Sequence, residues 1–125
     1  MSHESLVDDY FECANNEQWD RMLTLFTDDA TYRTPGARVR NGPADIVSFF
    51  PKAFAAWAAH QDSPHGFIFD SDSAACEIHF SGTTHDGQVV EFDCVDIFRF
   101  RDGRIAQLST WYDLGPVRAA MQETS

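Results

Sequence analysis

The residue in this sequence best set up to do chemistry is an aspartate in an apolar setting. Asp96 lies within VVEFDCVDIFRF, residues Val89 to Phe100. Read as a strand, the stretch puts Phe92, Cys94, Asp96, Phe98 and Phe100 on one side, and Glu91, Asp93, Val95, Ile97 and Arg99 on the other. The first side is apolar except for one carboxyl group. Ionising a carboxyl in an aromatic wall is costly, so such a group is hydrogen-bonded, held protonated or put to use. The second side starts polar but carries Val95 and Ile97, which implies that it too is covered there. Cys94 shares the side of Asp96, but apolar surroundings hold a thiol protonated, so it reads as a small lining hydrophobe rather than a nucleophile. Tyr10 sits on the buried side of a helical pattern, where a phenol seeks a polar partner. His79 has Glu77 two residues away on the same strand side, and an imidazole titrates near neutral pH, as a general base must. The other histidines, His3, His60, His65 and His85, fall in tail or loop without metal-ligand spacing, so no zinc site is expected.

The elements that must position these residues follow from the hydrophobic pattern. Leu6, Tyr10, Cys13 and Ala14, with Val7 and Phe11 alongside, predict a helix over residues 3–15. Asn16 can cap a second helix whose buried stripe is Trp19, Met22, Leu23 and Phe26, closed by Thr27, Asp28 and Asp29. A short strand from Ala30 to Thr34 ends at Pro35 and Gly36. Gly42 and Pro43 open a third helix carrying Ile46, Phe49, Phe50, Phe54 and Trp57 on one side, with a kink or break expected at Pro51. HQDSPHG, His60 to Gly66, reads as a loop. The remainder predicts strands at Phe67–Asp70, Ala74–Thr84, Val89–Phe100 and Arg104–Asp113, with Asp-Gly turns after His85 and Arg101. Pro116 to Met121 reads as a last helical turn. Helices first and an antiparallel meander afterwards describe an α+β fold with helices covering one sheet face. Which side of Ala74–Thr84 faces the helices, that of Ile78 and Phe80 or that of Glu77, His79, Ser81 and Thr83, depends on turn geometry that periodicity does not supply.

Composition narrows the function classes. The chain has 125 residues, 43% of them hydrophobic, enough for one sizeable core, so a single domain over 1–125 is expected. Its 11 Phe, three Trp and three Tyr exceed what a compact core needs and suggest a lined cavity. Twenty acidic against nine scattered basic residues give a formal charge of −11, a poor match for nucleic acid or an anionic membrane. The N-terminus lacks the basic region and apolar run of a signal peptide, and the longest apolar run, Ala53 to Ala59, is too short to cross a bilayer. Three cysteines without metal spacing read as reduced thiols of a cytoplasmic protein.

At YFECANNEQWDRMLTLFTDDATYRTPG, RNGPADI and VEFDCVDIFRFRDGRIAQL, which together span most of the chain, the sequence resembles the NTF2-like superfamily, the cone-shaped fold of SnoaL-like polyketide cyclases and ketosteroid isomerase. The resemblance implies three N-terminal helices packed on a curved antiparallel sheet, with a hydrophobic pocket between them. It also implies that Asp96 and Tyr10 form an oxyanion-binding pair, the acid kept neutral by its apolar site. Extended along the strands, the alignment turns His79, Ser81 and Thr83 inward with Leu108, Thr110 and Tyr112, and puts Val95, Ile97, Ile78 and Phe80 on an outer face where many relatives dimerise. At the isomerase's general-base position stands Thr34, whose hydroxyl cannot move a proton between steroid carbons near neutral pH, so that reaction is not expected.

The expectation is a pocket protein doing acid–base chemistry, of isomerase, cyclase or dehydratase type, on a small apolar carbonyl compound without cofactor or metal. Asp96 and Tyr10 would polarise the carbonyl, and His79 would move the proton. Candidate wall residues are Phe26, Tyr32 and Thr34 from the first half, Phe50, Phe54 and Trp57 from the third helix, and Phe92, Cys94, Leu108, Thr110 and Tyr112 from the strands. A homodimer through the outer face is expected, with no nucleic-acid or membrane partner. The alternative is a non-catalytic module of the same fold that holds a hydrophobic ligand or joins an assembly.

Overall fold

The computed structural model describes residues 3–123, with side chains up to residue 120. Its elements run α1 (His3–Asn15), α2 (Trp19–Leu23), β1 (Phe26–Arg33), β2 (Arg40–Asn41), α3 (Pro43–Phe54), β3 (Trp57–Phe69), β4 (Ser73–Thr84), β5 (Val89–Arg101), β6 (Arg104–Trp111) and α4 (Leu114–Glu123). The six strands form one sheet in the order β2-β1-β6-β5-β4-β3, antiparallel throughout except that β1 runs parallel to β6. Register shifts interrupt β3 twice and the β5–β6 and β1–β6 pairings once each. Such bulges bend a strand and increase its twist, so the sheet curves instead of lying flat. Its concave face receives the helices.

The α+β architecture is as the hydrophobic pattern predicts; β2 is an addition to it, Trp57 opens β3 rather than lying on the third helix, and three further differences bear on the site. The second helix ends at Leu23, and Phe26 begins a strand that takes in Thr27, Asp28 and Asp29. The alternation of Phe26, Ala30 and Tyr32, all buried, belongs to a strand pattern that the helical spacing of Met22 and Phe26 masks. Helix α3 is a single element through Pro51. Pro51 has Val47 four residues before it, and the helix goes on one more turn, closed by the Ala55 N–H donating to the Pro51 carbonyl at 3.0 Å.

The third difference matters most for function. HQDSPHG is no loop. It is the middle of β3, a strand of 13 residues at the edge of the sheet. Proline and glycine read as turn residues, yet an edge strand leaves one row of its backbone groups unpaired, so the missing donor of Pro64 is tolerated, and the register shift between Pro64 and Gly66 absorbs both. As a strand, the segment sends His60 and Asp62 to the same side.

The β4–β5 hairpin decides the facing question that periodicity leaves open. Cys76 pairs with Asp96, Ile78 with Cys94 and Phe80 with Phe92, and directly paired residues share a face. The side of β4 that faces the helices is therefore Ala74, Cys76, Ile78, Phe80, Gly82 and Thr84, all buried. His79 pairs with Asp93 on the opposite, outer face, together with Ser81 and Thr83. The inward placement of His79 that the resemblance implies is thus corrected, as is the outward placement of Ile78 and Phe80. One residue of hairpin register exchanges every side chain between the faces, and the Thr84–Gln88 turn sets that register. Val95 and Ile97 do lie outside, each 37% exposed.

The main core joins Leu6, Val7 and Phe11 of α1, Ile46 and Phe50 of α3, and Phe98 and Ile105 of the sheet. Phe98 is fully buried, and burying one such ring contributes about 1.5–3 kcal/mol. A second cluster gathers Trp57, Phe80 and Val90, with Phe92 and Ala120 against it. It requires Gly82, where a Cβ would come within 2.5 Å of the Trp57 ring.

Candidate functional site

Asp96 is 3% exposed, in the middle of β5 with its side chain under the helices. Its cross-strand partner is Thr110, whose hydroxyl donates to Oδ1 at 2.6 Å. The Tyr32 hydroxyl stands 2.9 Å from the Thr110 oxygen. Because the single Thr110 proton is committed to Asp96, Tyr32 is the donor in that second bond. A chain of polar groups, Tyr32 to Thr110 to Asp96, thus crosses three neighbouring strands beneath an aromatic cover. Phe50 forms part of that cover, stacked on Tyr32 with ring centroids 5.5 Å apart. Burial pushes the Asp96 carboxyl up to about 7, the Thr110 bond pulls it down, and the nearby Asp62 carboxyl raises it again.

Tyr10, on α1, is buried beside Phe98 and Phe50. Burial first, then the charges of Tyr32 and Asp96, hold its phenol well above the ordinary range, so it is a neutral donor. Tyr10 and Asp96 are therefore in one neighbourhood. Among the described residues, however, no hydrogen bond joins them, and the phenol linked to Asp96 is that of Tyr32, by way of Thr110.

A second carboxyl, absent from the sequence-based candidates, stands on the inner face. Asp62 pairs with Phe80 across the β3–β4 ladder and so faces the interior. Its backbone is gripped by Asn15 at the end of α1, which accepts from the Asp62 N–H at 2.8 Å and donates to the Asp62 carbonyl at 2.9 Å. Burial pushes its carboxyl up to about 6, with His60 acting in the opposite sense. The charge of Asp62 reaches Tyr10, Tyr32, Cys76, Cys94 and Asp96 and raises the pKa of each.

His60 is two residues before Asp62 on the same side of β3. Its side chain is 5% exposed and stacks on Phe54 at 4.0 Å, with Nε2 3.3 Å from a Glu17 carboxylate oxygen. Its Nδ1 is buried and has no partner among the described residues. The available signal for this pair is the alternation His60-x-Asp62 directly after the apolar Trp57, which a strand reading of the segment would have turned inward. His79, by contrast, lies on the outer face with its side chain 43% exposed, held between Asp93 at 2.9 Å and Glu91 at 3.1 Å. Hydrogen bonds from Asp93 and then Glu91 raise its pKa.

The remaining candidates divide by location. Tyr32, Phe50, Cys94, Leu108 and Thr110 are inner-face residues close to Asp96 in the register or in ring contact. Phe26 opens β1 in the main core, and Thr34 is buried just beyond the end of β1. Trp57, Phe92 and Tyr112 form the far end of the interior, where Phe92 bridges Phe80 and Tyr112. Burial raises the thiols of Cys94 and Cys76, which argues against a nucleophilic role for either. Clefts open on the surface away from these groups. One of about 410 Å³ is bordered by Asp28, Asp29, Arg101 and Arg104, and one of about 200 Å³ by Arg33, Ile97 and Arg99; neither includes Asp96, Tyr10 or Asp62. No group of three metal-ligating side chains, and no helix long and apolar enough to cross a membrane, occurs among the described residues.

Comparisons with known proteins place the fold and the family. The family model of the SnoaL-like domain matches residues 7–108. An NTF2-like protein of unknown function from Burkholderia pseudomallei superposes with a TM-score of 0.88 at 16% identity, covering 97% of this chain and 98% of the other. A protein from Jannaschia assigned as a SnoaL-like polyketide cyclase superposes at 0.85 and 16% identity, over 94% and 89% of the two chains. A protein with a ketosteroid isomerase-like fold from Catenulispora acidiphila, solved with trimethylamine, gives 0.83 at 17% identity over 94% and 92%. At these identities the likeness is one of fold. No match is found among the curated proteins.

Proposed function

The chain belongs to the SnoaL-like domain family, and from that premise we propose that it performs cofactor-independent acid–base chemistry, of isomerase, cyclase or dehydratase type, on a small apolar carbonyl compound. The observation that carries this reading is a pair of carboxyl groups on the inner face, both raised by burial, with Asp96 3% exposed on an internal strand and Asp62 half-buried on the edge strand. Two acids in unequal surroundings are suited to opposite roles. Asp96, the more often protonated, donates to the carbonyl oxygen and stabilises the developing enolate, with Tyr10 close by as a second neutral donor. Asp62, the more often ionised, takes the proton from carbon. The Tyr32–Thr110 chain fixes the orientation of Asp96, and Asn15 fixes the backbone that carries Asp62. Asp62 thereby fills the role for which Thr34 is unsuited and from which His79 is removed by its face.

The test is turnover against a panel of polyketide-like and steroid-like ketones. Asp96→Asn and Asp62→Asn are each expected to lower kcat by about two to three orders of magnitude on any substrate found. Unchanged turnover in Asp96→Asn removes the mechanism. The second reading, ligand binding without chemistry, is favoured by Thr34 at the isomerase's base position, and it predicts saturable binding with no product. The proposal extends to assembly: Val95, Ile97 and Trp111, 37%, 37% and 45% exposed on the outer face, pack against a second copy of the chain.

A further inference from the structure

Six arginines lie in the first half or at the β5–β6 turn of a strongly acidic chain, and three of them bond an acid: Arg21 bonds Asp9, Arg38 bonds Asp45, and Arg101 bonds Asp29. Arg40 is different. It sits on β2, paired with Tyr32 across the β1–β2 ladder, so the two side chains share a face. Its guanidinium lies 4.4 Å over the Phe49 ring, and that ring meets Tyr32 edge-on at 5.5 Å. Its Nη1 is buried and without a partner among the described residues. Asp45, an acid that feels the charge of Arg40, is engaged elsewhere: its oxygens accept from Arg38, at 2.9 and 2.8 Å, and Oδ2 also accepts from the Asn41 N–H.

A buried guanidinium N–H with no acceptor is destabilising, and a chain with 20 acidic residues has many ways to avoid it. The exception is one aromatic ring away from the Tyr32–Thr110–Asp96 chain. The geometry points to a carboxylate-binding subsite at Arg40: the substrate is an apolar carbonyl compound that also carries a carboxylate, held by Arg40 at one end while its carbonyl meets Asp96 at the other. A guanidinium presents two parallel donors that match a carboxylate, and stacking on Phe49 fixes its plane before the ligand arrives. Phe49 and Tyr32 then flank the apolar body between the two polar ends. This inference rests on the inner face being a small-molecule site, and it adds the charge and orientation of what binds there.

The experiment is calorimetric titration at neutral pH with para-acetylbenzoate and with its methyl ester, which differ only in the charge at one end. The native chain is expected to bind the acid about tenfold or more tighter than the ester. Arg40→Met should abolish that preference while leaving ester affinity within about twofold, and Arg40→Lys, which keeps the charge without the fork, should retain part of it. Equal binding of acid and ester by the native chain overturns the subsite and leaves the ketone site standing. An Arg40→Lys protein that holds the acid as tightly as the native one also overturns it, and this variant decides the matter should Arg40→Met fail to fold. If neither compound binds, the small-molecule reading falls and takes the subsite with it.

Discussion

Two histidine–carboxylate groupings lie on opposite faces of the same sheet, made of the same residue types and placed in different surroundings. On the outer face His79 stands in water between Asp93 and Glu91, and its carboxylate neighbours favour the charged imidazolium. On the inner face His60, Asp62 and Asp96 lie under the helices, and the dominant influence on both acids is lost hydration, which favours the neutral form. The outer grouping is an ordinary solvated ion cluster worth little to stability. The inner one holds acids near neutrality, where they can give and take protons. Residue type and spacing alone do not separate the two; the face does.

The comparison is most sharply broken at adjacent residues of β5. Phe98, fully buried, and Ile97, 37% exposed, point in opposite directions. Phe98→Ala is expected to cost about 3–5 kcal/mol in urea denaturation. Ile97→Asp should leave the fold intact and convert the proposed dimer to a monomer in analytical ultracentrifugation. Equal losses of fold stability at the two positions would mean that the faces are not distinct.

Stability against pH separates the faces next. Asp96 has a folded pKa of about 7, above the unfolded value of about 3.9. Below the unfolded value both states are protonated and its burial carries no ionisation cost; as pH rises through about 7 that cost becomes complete. The stability of Asp96→Asn relative to the native chain is therefore expected to rise with pH across that window, as read from urea midpoints. A difference independent of pH would mean that Asp96 is ionised at no penalty. The smallest effect belongs to His79, whose raised pKa gives stability that is fully present below the unfolded value of about 6.5 and lost as pH rises through the folded one. His79→Gln should show a small deficit at low pH that vanishes at high pH and shrinks with salt.

Much of this arrangement is legible in the sequence. The period-two face of β5, the apolar setting of Asp96 and the buried side of α1 follow from patterning and match the burial observed, whereas on α3 the match holds at Ile46 and Phe50 only. Thr110 and Tyr32 are legible as wall residues, but their bonded chain to Asp96 depends on a β5–β6 register and a parallel β1–β6 pairing that no local pattern encodes. The inner position of β4 is lost for a related reason, since facing depends on the length of a turn whose residues, His85, Asp86 and Gly87, announce a hairpin without fixing its register. His60 and Asp62 are missed because Pro64 and Gly66 disguise an edge strand as a loop.

The central claim is that Asp96 is an acid held protonated close to neutral pH beneath the helices. Carboxyl-carbon NMR of the aspartate-labelled chain, titrated with pH, reads this directly. The expected result is a midpoint near 7 for Asp96 and near 6 for Asp62, the former moving up when Thr110→Val removes the hydrogen bond that pulls it down. A midpoint for Asp96 at the ordinary aspartate value of about 3.9 would contradict the account.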